Sequence, residues 1–285
     1  MLRIALFLLT NLLVVATVTT ILSLLGVGRY PGAGNLEGLA IFCFVWGMTG
    51  SIISLLLSKV MAKWTMGVKI IDRNSPHYGW VAAMVEQLSQ KAGLPVTPEV
   101  GIYESPEVNA FATGPSKRHA LVAFSTGLLA SMSKNEVEGV AAHELAHVKN
   151  GDMVTLTLLQ GVMNAFVMFF ARIIAFAVSQ NVKEESRHMV QWIVTMVGEI
   201  VLGLLGMMVV CAFSRWREFR ADRGGAEYAG KSDMIAALQR LARNHEMHDD
   251  NPGLAAFKIS GARSHLFSTH PPLEVRIKAL MDAKL

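Results

Sequence analysis

The hydrophobic positions of this chain fall into two regimes. Four runs, at residues 4–25, 36–57, 154–178 and 189–213, are apolar almost without a break. Each approaches the ~20 residues a helix needs to cross a ~30 Å hydrocarbon core. Between and after them the pattern shortens. "SPHYGWVAAMVEQLSQKAGLP" predicts a helix with Ser75 as N-cap, Pro76 at the first helical position, Gly93 as stop, and Trp80, Val81, Met84, Val85 and Leu88 on one face. "PEVGIYE", "VNAFAT" and "HALVAFS" are strand-like and separated by turn signals, which predicts a small antiparallel sheet. "SMSKNEVEGVAAHELAHVKNGD" opens with Ser133 and Glu136 at capping-box spacing and closes at Asn150-Gly151, so it predicts a helix with both ends marked. After the fourth run the helix continues through "SRWREFRADRGGAEYAG", a further helix covers 233–243 behind a Ser232 cap, and 244–268 reads as loop. The end of the chain places His270 just before a proline-initiated helix. The fold class is a mainly α integral membrane protein with four transmembrane helices and an α+β polar part containing the small antiparallel sheet.

Composition agrees with a membrane protein: of 285 residues 52% are hydrophobic and 17% charged. The first run follows Arg3 like a signal peptide, but it exceeds the usual length of an apolar signal core and lacks a convincing cleavage site, so it reads as an anchor. Orientation follows from the basic flanks. With both termini in the cytoplasm, Arg3, Lys59, Lys63, Lys69, Lys149, Arg215, Arg217, Arg220 and Arg223 lie inside and only Arg29, Lys183 and Arg187 outside, nine against three. Both polar regions then share the cytoplasmic face. The net charge of +4 is accounted for by these flanks beside anionic lipid, and no basic-aromatic patch argues for nucleic acid. Cys43 and Cys211 fall inside predicted spans and have no metal or redox neighbours. Arg172 and Glu199 also lie within spans, at similar depth if the last two spans form a hairpin. Either they pair, or Arg172 snorkels outward while Glu199 faces a wet cavity.

The chemistry is concentrated in "HELAH". His143 and His147 are four apart, so a helix projects both imidazoles from one face toward a common ion, with Glu144 one step round. A metal so held lowers the pKa of a water toward ~7, and the glutamate takes its proton. A catalytic site of this kind needs a third protein ligand. If the last two spans form an antiparallel hairpin, the segment after residue 214 returns beside the histidine helix. Glu218 is then the natural third ligand, and Asp222, one turn on, is placed to accept a hydrogen bond from a ligand histidine. Two histidines and a glutamate suit zinc, and also admit other divalent ions.

"HELAH", "EFRAD", "NAFATG" and "STHPP", in this order and with four spans around them, resemble the bacterial HtpX branch of the M48 family of membrane zinc metalloproteases, over essentially the whole chain. The resemblance implies one zinc per chain on His143, His147 and Glu218, with Glu144 as general base and acid. It further implies that Asn109, Ala110 and Phe111 hold an extended substrate at a sheet edge, that His270 donates to the oxyanion, and that Arg276 orients that region. The domains expected are a transmembrane hairpin at 1–58, a cytoplasmic protease region at 59–152, a second hairpin at 153–213 and a C-terminal protease region at 214–285. The expected setting is the bacterial inner membrane, with damaged membrane proteins as substrates, lipid as surroundings and other quality-control proteases as partners. Two competing functions remain open from sequence: a membrane scaffold with a structural zinc, for which His270 is the best fourth ligand, and a CAAX-type protease of prenylated peptides. The latter belongs to the same broad family, but its eukaryotic members carry more membrane helices.

Overall fold

The structure is a computed structural model that describes residues 36–249 and 266–284. The span expected at 4–25 lies outside these, as does most of the stretch expected to be loop. Helices follow in chain order: α1 (Leu36–Thr65), α2 (Gly79–Lys91), α3 (Thr126–Ser131), α4 (Lys134–Asn150), α5 (Asp152–Ser179), α6 (Glu184–Ala229), α7 (Lys231–Asp249) and α8 (Leu273–Asp282). The strands are β1 (Lys69–Ile71), β2 (Glu99–Tyr103), β3 (Ala110–Thr113) and β4 (Leu121–Ser125). Among the described residues three helices, α1, α5 and α6, are long and apolar enough to cross a membrane.

The described chain forms two compact units. One comprises the residues up to Ser54 together with Leu156–Val210. Its helices meet through small residues: Ala165, Ala171 and Ala175 are buried, and Gly198 packs against Ala171. Large side chains such as Trp192 and Ile200 point outward, as lipid-facing positions do. Arg172 and Glu199 pair within this unit, Nη1 to Oε1 at 2.8 Å, and the same nitrogen donates to the Met168 carbonyl at 3.0 Å. Neutral substitutions at the two positions are expected to be non-additive by about 0.5–2 kcal/mol in a double-mutant cycle on thermal stability. Additive losses would show that the pair contributes nothing.

The other unit comprises Leu55–Thr155 and Cys211 onward. Its sheet has the order β1-β2-β4-β3 and is mixed. The expectation of an antiparallel sheet is corrected here, because β2 and β4 are parallel while the outer pairs are antiparallel. After β2 the chain passes the slot beside it, builds β3 at the edge, and returns as β4 into the vacant slot. Because β3 runs opposite to β2 and β4 opposite to β3, the inserted strand lies parallel to β2. β4 is buried along its whole length, with Val122 and Phe124 facing Val81, Val85 and Leu88 of α2 and Val137, Ala141 and Leu145 of α4. Leu121 and Ala123 cluster with Val68 and Tyr103. Two helix starts also differ from expectation. Ser75 is engaged in a turn with Asp72 (Asp72 N–H to Ser75 Oγ, 3.0 Å) and is not free to cap, so α2 begins at Gly79. Gly230, at φ +103°, separates α6 from α7, so Ser232 lies inside α7, which also extends beyond the expected 243.

Candidate metal centre

α4 is fixed at both ends before it makes any tertiary contact. Ser133 Oγ accepts from the Glu136 N–H, and the Glu136 carboxylate accepts from the Ser133 N–H at 2.8 Å. At the other end Gly151 takes the left-handed conformation, φ 73°, that any other residue would adopt only with strain, and α5 starts at the very next residue. The face bearing His143 and His147 is thereby held toward α6. Gly225 permits the approach, since a Cβ there would lie 3.2 Å from the His143 backbone nitrogen.

The two imidazoles stand nearly perpendicular, with centroids 4.6 Å apart. Their Nε2 atoms face each other at 3.1 Å. Glu218, fully buried on α6, closes the triangle, with Oε1 3.3 Å from His147 Nε2 and Oε2 3.5 Å from His143 Nε2. One ligand atom from each of the three residues lies within 4.8 Å of the others. Each outer nitrogen is matched by a buried carboxylate: His143 Nδ1 lies 3.0 Å from Asp222 Oδ1, and His147 Nδ1 lies 2.7 Å from Asp152 Oδ2. When both Nδ1 atoms donate, both neutral rings turn a lone pair inward. Two inward lone pairs facing a carboxylate whose oxygens receive no well-formed hydrogen bond make a donor set that fits a cation.

The electrostatics agree. Burial alone would lower the His143 pKa, but the nearby carboxylates of Asp222 and Glu218 outweigh it and raise the value to about 9. Burial would raise that of Asp222, yet Arg276 and His143 pull it down to about 2. Glu218 is likewise held below the usual carboxylate range against its burial by the three histidines it faces. Positive charge is thus what the pocket favours, and a metal must displace protons to enter.

Arg276 is more central than an orienting residue. It is 5% exposed, donates to Asp222 through Nε at 2.8 Å and Nη2 at 2.6 Å, and sets Nη1 3.3 Å from Glu218. His270 Nδ1 lies 2.9 Å from Glu218 Oε2, with its side chain 59% exposed. A cleft of about 750 Å³ opens beside these groups, lined at its polar end by Asn109, His143, Glu144, His270 and Arg276, and elsewhere by apolar side chains such as Leu128, Val140 and Leu238. Glu144, half-buried, borders it. Asn109 uses its backbone on Ser125 (N–H to Oγ 3.1 Å; carbonyl from N–H 2.9 Å) and leaves its side chain exposed. Ala110 lines the cleft on β3, an edge strand of the sheet. Phe111, next in the alternation, packs on Tyr103 at 5.7 Å and is not a cleft residue.

Asp152 is the residue that motif reading misses. It is fully buried, it also receives Arg220 Nη2, and Arg220 lies over the Trp216 ring. Its signal is the "NGD" that ends the helix: a left-handed glycine turns the following residue back toward the last histidine. Asp152→Asn is expected to weaken metal binding about 10–100-fold in a chelator competition, and an unchanged affinity would reduce Asp152 to a helix-start residue.

A cleft beside a buried cluster that could hold one metal ion, with an adjacent carboxylate and an edge strand, stands on a chain with helices long and apolar enough to cross a membrane: this is the architecture of a membrane metallopeptidase. Comparisons with known proteins narrow the class. The family model described as "Peptidase family M48" matches residues 76–284, and the chain belongs to that family. It is 52% identical to Protease HtpX of Cellvibrio japonicus (strain Ueda107) over 99% of both chains, and 50% identical to Protease HtpX of Acinetobacter baumannii (strain AYE) over 98% of both. It is 49% identical over 98% of both chains to the Protease HtpX homolog of Bacillus velezensis. Among solved structures it resembles Ste24p of S. mikatae, with a TM-score of 0.62 at 18% identity over 84% of this chain, and it spans 58% of that one. The protein is a multi-pass membrane metalloprotease.

Proposed function

We propose that this metalloprotease is a zinc endopeptidase that cuts exposed segments of damaged or misfolded membrane proteins at the cytoplasmic face of a bacterial inner membrane. The observation that carries the reading is the cluster of His143, His147 and Glu218 within 4.8 Å, beside Glu144 in an open cleft. Two regions, 59–152 and 214–285, supply the protease, and the hairpins at 1–58 and 153–213 supply the membrane anchor. The orientation rests on the nine basic flanks inside against three outside.

When bound by the three ligands, zinc supplies Lewis acidity and water of lowered pKa. The rest belongs to this chain. Substrate lies extended along the edge of β3, bonded through the backbone at Ala110 and contacted by the Asn109 side chain, which accounts for acceptance of unfolded segments rather than one sequence. Glu144 takes the proton from the attacking water and passes it to the departing amine. His270 donates to the carbonyl oxygen as negative charge develops there. Asp222 and Asp152 hold the two ligand imidazoles in the tautomer that turns Nε2 inward. Removal of metal by a chelator is expected to abolish cleavage of an unfolded protein, and stoichiometric zinc to restore it. Undiminished cleavage by metal-free protein would refute the reading.

A further inference from the structure

One stripe of α6 carries the C-terminal segment rung by rung. Cys211, Arg215, Glu218 and Asp222 are spaced four, three and four apart, so they share a helical face. Cys211 Sγ donates to the Phe267 carbonyl at 3.4 Å, and Arg215 Nη1 donates to the carbonyls of Leu266 at 3.2 Å and Ser268 at 2.8 Å. His270 then reaches Glu218, and Arg276 clasps Asp222. The two segments run in the same direction, and the first rung lies in a membrane span: Cys211 is inside the apolar run 189–213 of a helix whose most apolar stretch has mean hydropathy 2.3. Seven residues at ~1.5 Å rise separate that rung from Glu218, roughly 10 Å along the axis.

At this level only the backbone of residues 266–268 is bonded to α6. Leu266 and Phe267 are themselves 43% and 44% exposed. In water these two adjacent side chains carry the cost of hydrating apolar surface, whereas at the edge of a hydrocarbon layer the same groups are stabilising. The bilayer is the occupant that continuity dictates, since the tether point itself belongs to a lipid-spanning stretch. We infer that Leu266 and Phe267 insert into lipid beside the last turn of the α6 apolar run, and that this contact holds the segment bearing His270 over Glu218. His270 is thereby positioned by the membrane, and detergent that fails to support the pair leaves the cleft without its exposed donor. The first half of the inference is independent of chemistry; the second rests on the role proposed for His270.

The test uses the full chain in phospholipid nanodiscs. A nitroxide label at Phe267→Cys is read for collision with oxygen and with a water-soluble nickel chelate, with Ile200→Cys as the lipid reference and Lys284→Cys as the aqueous one. Cys43 and Cys211 are buried, and the unsubstituted protein is the labelling blank. Leu266→Cys is the second site should the first variant lose zinc. Oxygen-favoured collisions resembling those of Ile200 support the lipid contact; nickel access like that of Lys284, or shielding from both agents by protein, overturns it. Separately, Leu266→Ser/Phe267→Ser is expected to retain zinc and KM for a soluble unfolded substrate but to lose about 10–100-fold in kcat in nanodiscs. A parental kcat overturns the link to His270. Neither failure resembles failure of the proposed function, which would show as parental enzyme active after chelation.

Discussion

Glu144→Gln protein binds zinc like the parent and cleaves an unfolded substrate about 10²–10⁴-fold more slowly. The amide preserves the volume of the side chain and cannot take a proton from water. It is not among the three ligand residues, so metal content is untouched. Its backbone lies in a helix capped at both ends, so the substitution has no route to the fold. Turnover by gel or fluorescence, run beside metal analysis of the same preparation, decides the matter. Substantial turnover by the zinc-loaded variant would mean that another group moves the proton.

Arg276→Ala produces a large loss of stability, about 3–5 kcal/mol, because it removes the buried cation that two buried carboxylates share and leaves only histidines to balance them. Asp222 is 2% exposed and Glu218 is fully buried, and the guanidinium touches both, doubly in the first case. Arg276→Lys recovers only part of the loss, since a single ammonium cannot reproduce the two parallel donors. A fall in melting temperature that zinc partly reverses is the expected signature, because zinc neutralises Glu218 by another means. An alanine variant as stable as the parent would show that the cluster is held by the histidines alone.

What the chain discloses before folding is what lies close together along it. The capping box at Ser133 and the glycine at 151 mark α4 in plain sequence, and HExxH spacing places two histidines on one face. Glu218 and Asp222 required one long-range assumption, the return of a membrane hairpin, and the structure brings both residues to α4. Strand order was illegible because a hairpin can insert either of its strands beside β2, and alternation is identical in the two cases. β1 escaped notice for its length, three residues. Asp152 was hidden because its neighbour in space is set by a backbone turn and not by helical spacing, and Arg276 was reached only through the resemblance, with no sign of its partners, because these are 54 and 58 residues away, at Asp222 and Glu218.

The stripe on α6 also makes the centre a long-range assembly. His270 and Arg276 belong to the last sixteen residues of a chain of 285, whereas the histidine helix is complete by residue 150. The cluster of His143, His147 and Glu218, with Arg276 beside it, is therefore complete only when three separate stretches of the chain have met. Its closure depends on bringing those distant segments together, a loop-closure step that the local helix signals of α4 do nothing to speed.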